Sequence, residues 1–264
     1  MIKKGLKDIQ FRWSIQDQFA MLLGRLRRLE KKNLKQYYLS NPYSEYFLVC
    51  SMGGVASSAM YQVFNTYSPW LINPVVNCSL NKRLTDAKLK HLVRPLDTYT
   101  LGEFPQVFQN DLQSSHVDVS KIKGAIYIIG DPALTVVSLY NRGLATDFVL
   151  DISQDKNAKV PRDISEFLDE GADVFLLEQQ LDLWLKGSWQ YDVLIVKYEH
   201  IWNHLDELAK FANLSPELVK KEFKQKKRRT KKDELYKKVS NRVYSSLQEK
   251  IEQLPPIQII KRNA

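Results

Sequence analysis

Cysteine and histidine are scarce in this chain, with two Cys and four His among 264 residues. Cys50 and Cys78 make no CxxC pair, so neither a zinc framework nor a disulfide-stapled scaffold is available, and two isolated thiols suit a reducing compartment. No apolar run approaches the ~20 residues that a membrane-spanning helix needs. The uncharged stretch 46–81 is broken by Gly53, Gly54, Ser57, Ser58, Gln62, Pro69 and Pro74. The first 29 residues carry Lys3, Lys4 and Lys7 but no compact apolar block, so they read as no signal peptide, and a cytoplasmic location is expected. No internal repeat is visible. Also missing is the GxxxxGK signature, followed by Ser or Thr, of nucleotide triphosphatases.

What is present is a globular composition: 44% hydrophobic residues and a net charge of +9 from 39 basic and 30 acidic side chains. A chain of this length buries its own core without staples, and one α/β domain over residues 1–264 is expected. The charge is concentrated. Segment 220–238 holds eleven Lys or Arg against three acids, which accounts for nearly the whole excess. Three readings fit such a run: a solvated face or basic loop, a nucleic-acid surface whose lysines neutralise phosphates, or a grip on one small anionic ligand.

Hydrophobic periodicity predicts helix over residues 9–38, where Phe19, Leu22, Leu23, Leu26 and Leu29 recur at helical spacing in an N-terminal extension covering 1–40. Asn41 and Pro42 end it. Apolar runs at 46–50, 125–129 and 193–196 read as buried strands, each followed by a helical pattern at 57–66, 133–142 and 201–214. Three strand-then-helix units predict a central parallel β-sheet flanked by helices. Another amphipathic helix lies within 173–189. A terminal one over 236–253, with Val239, Val243, Leu247 and Ile251 every fourth residue, stops before Pro255 and Pro256.

The loop after the first strand runs Ser51-Met52-Gly53-Gly54-Val55-Ala56-Ser57-Ser58 into a helix. Glycines let the main chain approach a ligand, backbone amides at the helix start converge on an anion, and two hydroxyls add donors. A tight turn with a serine cap is the plain alternative.

The order of these elements resembles the sulfotransferase family, whose P-loop NTPase-like fold binds the sulfate donor 3′-phosphoadenosine 5′-phosphosulfate (PAPS). Gly53-Gly54-Val55-Ala56-Ser57-Ser58 is similar to that family's P-K-S-G-T-T loop. Ile126-Tyr127-Ile128-Ile129-Gly130-Asp131-Pro132 with Val136-Val137-Ser138 and Arg142 is similar to its strand, R-x-P turn and serine helix. Val193-Leu194-Ile195-Val196-Lys197-Tyr198-Glu199 is like its strand ending in YED, and Lys227-Arg228-Arg229-Thr230 sits where it carries a basic loop. The resemblance implies a 5′-phosphosulfate over Gly53, Gly54, Val55, Ala56, Ser57 and Ser58. It implies a 3′-phosphate near Ser138 and the Arg228, Arg229 and Thr230 loop, and an adenine near Tyr198. Lys88-Leu89-Lys90-His91 lies where the family has K-T-H, which makes His91 the candidate base and, with Ser57, the catalytic set. The acceptor is then a hydroxyl compound: a carbohydrate, a lipid headgroup or a small metabolite.

Three positions depart from the pattern. Gly54 matches the family's loop lysine, Gly130 its arginine and Ala59 its adenine-stacking tryptophan. A cation aimed at the leaving phosphate oxygen is worth about 2.7–4 kcal/mol by analogy with an oxyanion donor, so Arg142, Arg228 or Arg229 must stand in for it. Otherwise the chain is a catalytically impaired nucleotide-binding protein of the same fold, and nucleic-acid binding through 220–238 is the third alternative. A phosphotransferase is disfavoured by the lack of a loop lysine and of a magnesium-holding pair. His200 and His204 stand at metal-ligand spacing beside Trp202 but have no third ligand in view, so no metal is expected. Tyr67, Trp70, Trp184, Trp189 and Trp202 are read as packing side chains ahead of a sugar platform.

Overall fold

A computed structural model describes residues 46–52, 60, 75–77, 120, 122–153, 158–225 and 230–262, all within the compact unit Tyr43–Ala264. The expected 9–38 helix and 57–66 helix lie outside the described residues, Met60 apart. Strands β1 (Tyr46–Ser51), β2 (Val75–Asn77), β3 (Ile122–Ile129), β4 (Asp192–Lys197) and β5 (Ile257–Ile260) form one sheet in the order β2-β1-β3-β4-β5. The first four are mutually parallel and β5 runs antiparallel along β4. The expected parallel sheet is therefore a mostly parallel one. Pro255 and Pro256 end the last helix as anticipated but turn the chain back to add the edge strand, which the sequence reading did not include.

Both faces of β1, β3 and β4 are covered, which is why their sequences are nearly continuous apolar runs without alternation. On one face Phe47, Val49, Ile126, Ile128, Leu194 and Val196 pack with Ile201, Leu205, Leu208 and Val219. The other face carries Leu48, Cys50, Ala125, Tyr127, Val193 and Ile195, all buried.

Helix α1 (Pro132–Asn141) follows β3, then come α2 (Ala145–Ser153), α3 (Ile164–Glu170) and α4 (Leu177–Lys186). Pro132 opens α1 where its missing N–H costs nothing, and Gly143 at φ +62° closes the following turn in the left-handed region. The helix expected over 201–214 begins as a 3₁₀ turn at Tyr198–Asn203 and continues as α5 (Leu205–Phe211), and α6 (Pro216–Glu222) follows.

The terminal helix is α7 (Glu234–Val239), a π turn (Ser240–Tyr244) and α8 (Ser245–Gln253). The expected basic loop over 220–238 is corrected accordingly: its two ends belong to α6 and α7, each started by proline or an aspartate cap. Asp233 caps α7 by accepting from the Tyr236 N–H at 3.0 Å.

Candidate functional site

The carboxyl ends of the three central strands lie side by side in register. Ser51 stands opposite Ile128, the Met52 N–H donates to the Ile128 carbonyl at 3.0 Å, and Ile129 stands opposite Lys197. Met52, Gly130 and Tyr198 therefore leave three neighbouring strands, spaced about 4.8 Å apart, at one edge of the sheet. From β1 the chain goes to β2 on one side, and from β3 it goes to β4 on the other. The carboxyl ends of β1 and β3 thus flank the topological switch point, the usual ligand position in open α/β sheets.

Asp131 sits at this edge as the cap of α1. Its Oδ1 accepts from the Leu134 N–H at 3.0 Å and from Gln248 Nε2 at 3.3 Å. Its Oδ2 accepts from the Tyr236 hydroxyl at 2.9 Å and lies 3.1 Å from Lys232 Nζ. Gln248 also donates to the Tyr236 oxygen at 3.2 Å, and its own oxygen accepts from Ser240 Oγ. An acid at the start of a helix is favoured by the unpaired N–H groups there. Here that acid holds the C-terminal segment against the sheet edge as well. Partial burial depresses the Lys232 ammonium, but its bonds to Asp131 and Tyr236 outweigh this and raise it above the ordinary lysine value.

Tyr236, Ser240, Tyr244 and Gln248 recur every fourth residue, and the π turn is what keeps them together. At 3.6 residues per turn each four-residue step overshoots by about 40°, so three steps drift about 120° around a regular helix. One turn of i→i+5 winding takes that drift back. Tyr244, fully buried, donates to Asp173 Oδ1 at 2.7 Å. Burial raises the Asp173 carboxyl above its usual range despite that bond and the Glu178 and Leu177 N–H groups that it accepts at the start of α4.

Behind β1 and β3, α4 supplies a buried floor. Gln180, 1% exposed, donates from Nε2 to the Ser51 carbonyl at 3.4 Å, while its Oε1 has no hydrogen-bond partner among the described residues. Tyr127 stacks on Trp184 at 5.2 Å, and Trp184 on Trp189 at 4.5 Å. Burial, with Cys50 beside it, pushes the Tyr127 hydroxyl well above its usual range. It is neutral and packs within the core.

Of the residues singled out from the sequence, Ser138 lies half-buried in α1 and Thr230 half-buried two residues before Lys232. Tyr198, at the end of β4, packs edge-on against Trp202 with ring centroids 5.1 Å apart. Arg142 is exposed and closes α1 at the end remote from Asp131, about 15 Å along the helix. Gly53, Gly54, Val55, Ala56, Ser57, Ser58, Ala59, His91, Arg228 and Arg229 lie outside the described residues. Trp184 and Trp189 are core side chains. His204 meets Glu207 at 3.2 Å, and among the described residues no cluster of three His, Cys, Asp or Glu could hold a metal. Sequence reasoning missed Asp131, Lys232, Tyr236 and Gln248. The Asp131-Pro132 pair after a strand was a readable cap signal, but nothing in the run of eleven basic residues distinguished Lys232.

Among the described residues no helix is long and apolar enough to cross a membrane. No family model matches the chain, and neither a curated protein nor a solved structure matches it.

Proposed function

We propose that this chain is a PAPS-dependent sulfotransferase of divergent sequence, working in the cytoplasm on a hydroxyl-bearing carbohydrate, lipid headgroup or small metabolite. The observation that carries the reading is the shared register at the sheet edge. Met52 just before the first of the segments resembling donor-binding motifs, and Gly130 and Tyr198 within the other two, leave adjacent strands at the switch point. Gly130 offers buried backbone with no side chain there, and the basic run returns to the same edge through Lys232.

In the proposed reaction the acceptor oxygen bonds to sulfur as the sulfur–oxygen bond to the 5′-phosphate breaks. The acceptor proton passes to His91, and adenosine 3′,5′-bisphosphate leaves. Asp131 favours a second reading, nucleotide binding without turnover. Its carboxylate stands next to Gly130, and all its bonds are spent on the protein.

The first test is the melting temperature with and without adenosine 3′,5′-bisphosphate, with ATP as control. At a hundred times Kd, ligand linkage stabilises by about 2.7 kcal/mol, a shift of roughly 5–10 °C for a chain of this size. A shift specific to the bisphosphate is expected, and no shift would sink both readings. Transfer of labelled sulfate from PAPS to a panel of hydroxyl acceptors then separates them.

A further inference from the structure

Strand β5 turns one row of main-chain groups away from the sheet. Val196 stands opposite Ile257, which sets Lys197 opposite Pro256, and the Lys197 N–H donates to the Pro256 carbonyl at 2.9 Å. Bonded and non-bonded pairs alternate along an antiparallel ladder. Gln258 and Ile260 therefore exchange bonds with β4, while the N–H and C=O groups of Ile257 and Ile259 point outward. The Arg262 N–H keeps the same phase, reaching back to Asp192 at 3.0 Å. β5 is the last strand of the sheet, so among the described residues this edge is unpaired.

The side chains alternate as well. Ile257 and Ile259 share the face of Val196 and Leu194, and Gln258 and Ile260 take the other. Ile257 packs against the core, but Ile259 is 46% exposed; with Leu218 on α6 it makes up the exposed large hydrophobic residues of the described chain. Edge strands are commonly guarded by lysine. Here the Lys261 ammonium is drawn back onto Asp192 at 2.9 Å.

We infer that the outer edge of β5 is a self-association site, where a second copy of this chain adds its own β5 antiparallel about a twofold axis through Gln258. The occupant follows from the sequence of the edge. Ile257-Gln258-Ile259 reads the same in both directions, so a twofold axis matches every outward group with its complement. Ile257 of each copy exchanges main-chain bonds with Ile259 of the other, and their side chains close over the exposed apolar surface. The Gln258 amides meet on the axis, each with donors and an acceptor to offer. Lys261 of one copy lies opposite Pro255 of the other, which keeps the cationic ends apart, whereas parallel pairing would set like charges side by side. So short a ladder lies at the low end of interface sizes, and the dimer forms with a Kd on the order of micromolar. None of this depends on the nucleotide reading.

The experiment is sedimentation velocity of the full chain from about 1 to about 200 µM, comparing wild type with Ile259→Pro, Ile259→Lys and Leu218→Lys, each checked for folding by circular dichroism. Proline at 259 removes an outward N–H and no bond to β4, so it blocks pairing without opening the sheet. Wild type and Leu218→Lys should pass from monomer to dimer over that range, with association at least about tenfold weaker in both Ile259 variants. Gln258→Cys adds a register test, because facing residues of a non-bonded pair lie about 4.5 Å apart between Cα atoms, within disulfide reach. Mild oxidation should lock this variant as a dimer and leave wild type, with its own two cysteines, unlinked. A wild type that stays monomeric overturns the inference, as does a dimer that the Ile259 variants leave intact or that Leu218→Lys weakens equally. A dimer that Gln258→Cys fails to lock overturns the pairing about Gln258.

Discussion

Gly124 is glycine because two phenylalanines need the space above it. A Cβ there would come within 2.9 Å of Phe211 Cζ and 3.1 Å of Phe47 Cε1, rings packed edge to face at 5.8 Å. Gly124→Ala should destabilise by about 1–3 kcal/mol through overpacking, read as a lower midpoint in urea with an unchanged slope. Asp192 gives a residue-scale pH signature. The Arg262 N–H at 3.0 Å, and then the Lys261 ammonium at 2.9 Å, hold its carboxyl below the usual range. A depressed carboxylate stabilises above its unfolded value of about 3.9, and that contribution is lost as the pH falls through the folded value. Asp192→Asn should therefore lower Tm at pH 7 by about 1–2 °C, a small figure because the pair is solvent-screened. The difference should narrow as the pH falls below about 3.9, and a gap that stays constant on acidification would contradict the assignment. At this scale the sequence was legible where a residue type has one strong local use, as with Asp131 before Pro132. It was illegible for Lys232, whose partner lies 101 positions away.

Strands β1, β3 and β4 were readable because burial on both faces demands unbroken apolar runs, and α1 and α4 because their segments carry a helical pattern of apolar residues. Three-residue β2 and four-residue β5 are too short to impose a pattern. The terminal helix was readable as a helix but not as one containing a π turn, since local preference does not record which face must meet Asp131 and Asp173. That distinction can be tested. Asn241 is exposed within the π turn, so Asn241→Ala should fall within about 0.5 kcal/mol of wild type. Deleting Asn241 would let regular winding resume and rotate Tyr244 and Gln248 off their partners. Loss of the buried Tyr244–Asp173 bond and of the Asp131 network should then cost about 3 kcal/mol, a fall in Tm of roughly 6–12 °C.

Across the whole molecule, the sheet is closed on one side by β5, which pairs four residues of β4 from Val193↔Ile260 to Val196↔Ile257. Truncation after Pro256 would bare the apolar Val193–Val196 edge of β4, and light scattering on heating should rise earlier than for the full chain. The α/β class and the parallel core of the sheet were legible because three strand-then-helix units follow one another in the sequence. The pairing of the C-terminal segment with the carboxyl edge was not, because it is set by single long-range contacts. The stacked pair Trp184 and Trp189, 4.5 Å apart and 14° from parallel, gives this architecture an optical signature. Two indoles so close couple through their strong far-ultraviolet transitions, so the folded protein should show a paired band of opposite signs in far-ultraviolet circular dichroism that neither ring produces alone. Because Tyr127 of β3 completes the stack, that band would report directly on whether the central strand stays seated as denaturant is added.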